Sequence, residues 1–228
     1  MKKILFLFTF LPLSYFALGQ KNKSLSDTAT SWGIYRNALI FNDLDVAKFA
    51  LFEILTLQPD NPSTYDSLAH LYFRIGAYSQ AIQASELAKP TNALKEIKAY
   101  SYRNLGEIKI ALPLFEELYA ETASPENGYQ VASMQFSMKR FGECMETAAK
   151  IKAHPEASKS KVLISTEQGE SMNVSYLAAA ENLMGVVYLE MGKTDLAKTA
   201  FEMAIEAAPE FSLAKKNLEK VNSKPMPK

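Results

Sequence analysis

Residues 65–85, "YDSLAHLYFRIGAYSQAIQAS", and 181–201, "ENLMGVVYLEMGKTDLAKTAF", decide the fold, because one can be laid upon the other. In each, Leu or Met precedes a small residue (Leu68 and Ala69, Met184 and Gly185). A tyrosine follows three positions on (Tyr72, Tyr188), a glycine four beyond it (Gly76, Gly192), and an alanine five beyond that (Ala81, Ala197). Self-similarity at fixed spacing is the mark of a repeat architecture, in which each unit buries its apolar face only by stacking on its neighbours.

Further copies fall on the same spacing. "IKAYSYRNLGEIKIALPLF" supplies Ala99, Tyr102, Gly106, Ala111 and Phe115. "YQVASMQFSMKRFGECMETA" supplies Ala132, Phe141 and Cys144, with Lys139 at the glycine position. An earlier copy ends "VAKFALFEILTLQPDNP", with Ala47, Leu51 and Pro59. The pattern resembles the tetratricopeptide repeat, W-x2-L-G-x2-Y…A-x3-F…P. The resemblance implies an all-α, right-handed superhelix (an α-solenoid) of about five helix-turn-helix repeats.

The residue types follow from close helix crossing. Small side chains at Ala69, Ala99, Ala132 and Gly185 are expected to face Ala81, Ala111, Cys144 and Ala197. Glycine after each first helix supplies a left-handed terminating residue. Lys139 lacks that freedom, so a reshaped turn is expected there. Pro59 and Pro209 should close second helices, since the residue before proline resists helical geometry. After Pro209, Phe211, Leu213, Ala214, Leu218 and Val221 against a Lys-rich outer side read as a capping helix. Tyr65, Tyr72, Tyr102, Phe115, Tyr188 and Phe201 occupy core positions.

The second-helix small residues are spaced by 34, 30, 33 and 53 residues. The last interval marks an insertion at about 156–175. Within it "VLISTEQGESMNVS" (162–175) alternates Val162 and Ile164 with Leu163 and Ser165, and Met172 and Val174 with Asn173 and Ser175. With Gly169 central, this reads as a β-hairpin whose apolar side lies on the adjacent helices.

Residues 1–19 have a different character. Lys2 and Lys3, an apolar run from Ile4, and small residues at Ala17 and Gly19 read as a secretory signal cut before Gln20, and the run is too short to span a bilayer. No cysteine follows to carry a lipid. The lysine pair fits export to a bacterial periplasm. Residues 20–27 are expected as a flexible linker, 28–222 as the solenoid, and 223–228 as a disordered tail.

Charge and motif content exclude several classes. Twenty-five basic and 25 acidic residues balance, with no block of either sign, so a nucleic-acid binder is not expected. His70 and His154 lie in different repeats without metal-ligand spacing, and no phosphate loop is present, so neither metal nor cofactor is expected. Cys144, the only cysteine, precludes an internal disulfide. Its inter-helix position reads as a small apolar contact, against the alternative of a thiol or hydrolytic enzyme.

A second face of the first helices, at i, i+4, i+7 spacing, carries Trp32 and Arg36; Asp66, His70, Phe73 and Arg74; Glu96, Tyr100, Arg103 and Asn104; and Tyr129, Ser133 and Phe136. In tetratricopeptide proteins this face lines the groove that holds peptides or helices. The resemblance therefore implies a protein-interaction scaffold, with Trp32, Phe73, Tyr100, Tyr129 and Phe136 as anchors. Arg36, Arg74 and Arg103 would orient polar groups, beside His70 and Asn104. A solvated or self-packed face with incidental aromatics is the other reading. Trp32, Asp66, Glu96 and Tyr129 stand where a chaperone-binding carboxylate clamp would carry Lys and Asn, so chaperone tails are not implied. Docking of another chain on the 160–175 hairpin is the alternative mode of assembly.

Overall fold

The computed structural model describes residues 14–165, 169 and 171–223. The described residues form α1 (Ser14–Ile40), α2 (Leu44–Leu57), α3 (Pro62–Arg74), α4 (Tyr78–Leu87), α5 (Asn92–Asn104), α6 (Ile108–Thr122), α7 (Pro125–Ser137) and α8 (Phe141–Ala153). Then follow β1 (Lys161–Ser165), β2 (Ser171–Ser175), α9 (Tyr176–Glu190), α10 (Thr194–Ala207) and α11 (Ser212–Ser223). The chain is an all-α solenoid of helical hairpins interrupted by one β-hairpin. It divides within α5 into a first unit ending at Ile97 and a second beginning at Lys98. Residues 20–27, expected as a linker, lie in the backbone of α1. Residues 1–13 of the expected signal, and 224–228 of the expected tail, lie outside the described residues.

The first unit packs Ala47, Leu51, Ile54, Leu68, Ala69 and Ala81 into one core, with Tyr65 and Tyr72 against it. In the second unit Ala99, Ala111 and Phe115 share a cluster, and Ala132 shares another with Cys144. These small residues are fully buried. At Gly185 the crossing leaves no room for a side chain, since a Cβ there would stand 2.4 Å from the Phe201 ring.

Each hairpin turns in the same way. The N–H of Gly76 donates to Phe73 O at 3.1 Å, and that of Ala77 to Tyr72 O at 2.8 Å. The same pair of bonds recurs at Gly106 and Glu107, and at Gly192 and Lys193. This double closure satisfies carbonyls that the last helical turn leaves open. The expectation of a reshaped turn at Lys139 is corrected: Lys139 adopts φ +59° and makes the same closure, with Arg140 N to Gln135 O at 2.8 Å. Asn42 does likewise at φ +56°. The paired hydrogen bonds and the packed helices on either side hold a non-glycine residue in a left-handed conformation that costs about 1–2 kcal/mol.

Pro59 and Pro209 each follow two residues behind a second helix, as their restriction of the preceding residue demands. Phe211, Ala214 and Val221 of the capping segment are buried, and Lys215 and Lys220 face solvent.

The insertion is an antiparallel hairpin with Val162 opposite Val174 and Ile164 opposite Met172. Those four side chains pack with Ala178, Ala208 and Phe211, while Leu163 points away and is 60% exposed. Part of the expected turn, residues 166–168 and 170, lies outside the described residues. The hairpin is tied to α9 by its backbone: Tyr176 N donates to Ser160 O at 3.1 Å and Leu177 N to Ala157 O at 2.9 Å. Ser175 then caps α9 through its side chain, which accepts from Ala178 N.

Candidate binding faces on the first helices

The first unit carries half of the sequence-predicted set. Trp32 and Phe73 are partly buried against the core, Trp32 edge-on to Tyr35 at 5.6 Å and Phe73 tilted on Tyr78 at 5.9 Å. Arg36 and His70 are exposed. Arg74 Nη2 donates to Asn42 Oδ1 at 2.6 Å, so its guanidinium is held to the α1–α2 turn.

In the second unit α5 and α7 bring polar groups together. Arg103 lies 5.0 Å over the Tyr100 ring and donates from Nη1 to Gln130 Oε1. The Tyr100 hydroxyl donates to Glu126 Oε1 at 3.0 Å, and the ring sits edge-on to buried Phe115 at 4.9 Å. Stacking and a side-chain amide together fix a planar fork of donors suited to carboxylates or backbone carbonyls. Asn104 is exposed at the end of the same helix. Sequence spacing could not show Gln130 and Glu126, because their partners come from another helix.

Tyr129 and Phe136 are placed differently from Tyr100. Tyr129 meets Tyr176 at 6.1 Å and packs in the cluster that holds the hairpin's Val162 and Met172. Burial pushes its phenol up to about 12 from an ordinary 10, against a lowering hydrogen bond with Ser133. The insertion thus makes Tyr129 part of a wall. Phe136 is partly buried and tilted on Phe141 at 5.9 Å.

A hollow of about 490 Å³ lies elsewhere in this unit, among Glu116, Tyr119, Gln135, Thr147, Lys150 and His154. Buried Thr147 donates to buried Gln135 Oε1 at 2.9 Å on its lining. Periodicity gives no signal for it, since its residues come from α6, α7, α8 and the residue that caps α8.

Cys144 is fully buried and its thiol is pushed up to about 11 by burial, the opposite of an activated nucleophile. Among the described residues no group of three or more His, Cys, Asp or Glu could hold a metal ion, and no helix is long and apolar enough to cross a membrane.

The tetratricopeptide repeat family pattern matches residues 182–211. No curated protein matches the chain in sequence. Solved structures do match in fold. YrrB, described as a tetratricopeptide protein with an unusual peptide-binding site, gives a TM-score of 0.68 at 16% identity, over 88% of this chain and 95% of that one. MamA gives 0.62 at 18% identity, over 88% and 98%. MamA from residue 41 onward, from Desulfovibrio magneticus RS-1, gives 0.61 at 15% identity, over 87% and 98%.

Proposed function

From a chain that carries a tetratricopeptide repeat and folds as a solenoid of such hairpins, we propose a non-enzymatic protein-interaction scaffold. It captures a peptide or partner segment on the first-helix face of the second unit. The observation that carries this reading is the fixed guanidinium of Arg103, stacked on Tyr100 and bonded to Gln130. An extended segment presents carbonyls or a carboxylate to the fork and lays an apolar side chain beside Tyr100. Exposed Arg36 and His70 offer a corresponding face on the first unit. The lysine pair and apolar run at residues 1–19 support export to a periplasm as the place where it works.

The test is a pull-down from the cell-envelope fraction with Tyr100→Ala/Arg103→Ala beside the unaltered protein. Loss of a specifically captured partner from the variant is expected. Retention of every partner would overturn the reading.

A second reading rests on Leu163, 60% exposed on the outer side of a two-stranded sheet whose neighbours there are Lys161, Ser165 and Asn173. The hairpin would then dock a partner strand or apolar side chain. Leu163→Lys should abolish that complex while the Tyr100/Arg103 variant keeps it.

A further inference from the structure

The second helices are built to one register, which allows their outer faces to be compared position by position. Two and five residues beyond the small crossing residue, α4 carries Gln83 and Glu86, α6 Pro113 and Glu116, α8 Glu146 and Ala149, and α10 Thr199 and Glu202. In α2 the same positions are Phe49 and Phe52, which are 64% and 47% exposed. Val46, 41% exposed, extends the stripe by one turn, and Ile40 and Phe41 at its head are 76% and 81% exposed. None belongs to the core of the first unit. Phenylalanines outside the core, where four sister helices carry polar residues, alanine or proline, serve an occupant rather than the fold.

We propose that the α2 stripe is the contact between two copies of this chain, packed α2 on α2 about a twofold axis. Three arguments select that occupant. Val46, Phe49 and Phe52 at i, i+3, i+6 form one inclined row along α2, and such a ridge meets its own copy with matched chemistry under the commonest symmetry of soluble oligomers. The five side chains expose on the order of 600 Å². A stable interface needs about 800 Å² from each partner, roughly two-thirds of it apolar in homodimers, so the stripe with a polar rim meets the requirement. Finally, Asp43, Asp45 and Glu53 accompany the single cation Lys48 on α2 and its cap. Acidic flanks oppose an anionic bilayer, the other surface that takes exposed phenylalanines.

The proposal is independent of the Arg103 face and is tested separately. The protein purified from the exporting cell is examined by sedimentation equilibrium across the micromolar range. Phe49→Gln/Phe52→Glu, which writes the α4 residues into α2, is run beside it. The unaltered protein is expected at twice the chain mass. The variant is expected as a monomer, its association weakened at least about 100-fold, with the same helical circular dichroism spectrum at 25 °C. Tyr100→Ala/Arg103→Ala should remain dimeric. A monomeric unaltered protein, or a dimer surviving in the double variant, would overturn the proposal. So would a monomer that binds phosphatidylglycerol vesicles through the two phenylalanines.

Discussion

Lys152 Nζ lies 2.5 Å from Oε1 of Glu181, whose side chain is 3% exposed. The pair links α8 to α9 inside the second unit. A carboxylate taken from water this completely is stable only with its cation in place. Lys152→Met should lower the unfolding free energy by about 3–5 kcal/mol. Adding Glu181→Met should recover most of that loss, because an apolar pair of similar volume no longer strands a charge. Urea unfolding of the two variants measures both steps.

Gly185 and Gly142 should respond oppositely to alanine. At Gly185 the new methyl would stand 2.4 Å from the buried Phe201 ring. Overpacking of about 1–3 kcal/mol then exceeds the helical gain of about 1 kcal/mol. At Gly142, in the first turn of α8, a methyl meets nothing within 4 Å. There the gain stands alone, and Gly142→Ala should raise stability by roughly 0.5–1 kcal/mol. Melting temperatures of the two variants, moving in opposite directions, check the argument.

How much was legible in the sequence depends on which interactions are local. The crossing residues, Tyr72 and Tyr188, and the helix-ending prolines were readable because repeat geometry places them at fixed offsets. The hairpin was readable from one overlong interval and the alternation of Val162, Ile164, Met172 and Val174. Contacts between non-adjacent segments left no periodic trace. The enclosure of Tyr129 by the insertion, the pairing of Glu181 with Lys152, and the bonding of Arg103 to Gln130 are of that kind. Lys139 misled for another reason: residue preference was weighed without the two hydrogen bonds that override it.

The Lys139 turn supplies a direct measure of that override. Its φ of +59° is strained for any side chain bearing a Cβ. Lys139→Gly should therefore stabilise the protein by about 1 kcal/mol, less glycine's greater unfolded-state entropy. Gly76→Ala imposes the reverse at φ +76°, where space is open and only the backbone objects. It should cost about 1 kcal/mol. Denaturant midpoints for the pair separate conformational strain from packing, since neither substitution touches the core.

Tyr129 and Tyr176 contribute to the alkaline limit, beside the Cys144 thiol that burial also pushes up. Burial pushes both phenols up to about 12 from an ordinary 10, and Glu126 adds to the rise at Tyr176. A raised folded value means that the fold prefers the neutral phenol, while the unfolded chain ionises near pH 10. Their contribution is thus complete below pH 10 and is lost as pH climbs towards 12. Unfolding free energy measured by urea should be level from neutrality to about pH 8, decline gently as the Cys144 thiol ionises in the unfolded chain, and fall steeply above pH 10. Tyr129→Phe/Tyr176→Phe removes both phenol ionisations and should flatten the fall above pH 10, leaving the gentler Cys144 decline. At neutral pH the variant surrenders the Ser133 hydrogen bond of Tyr129, about 1 kcal/mol. An equally steep fall in the variant would assign the alkaline limit to other groups.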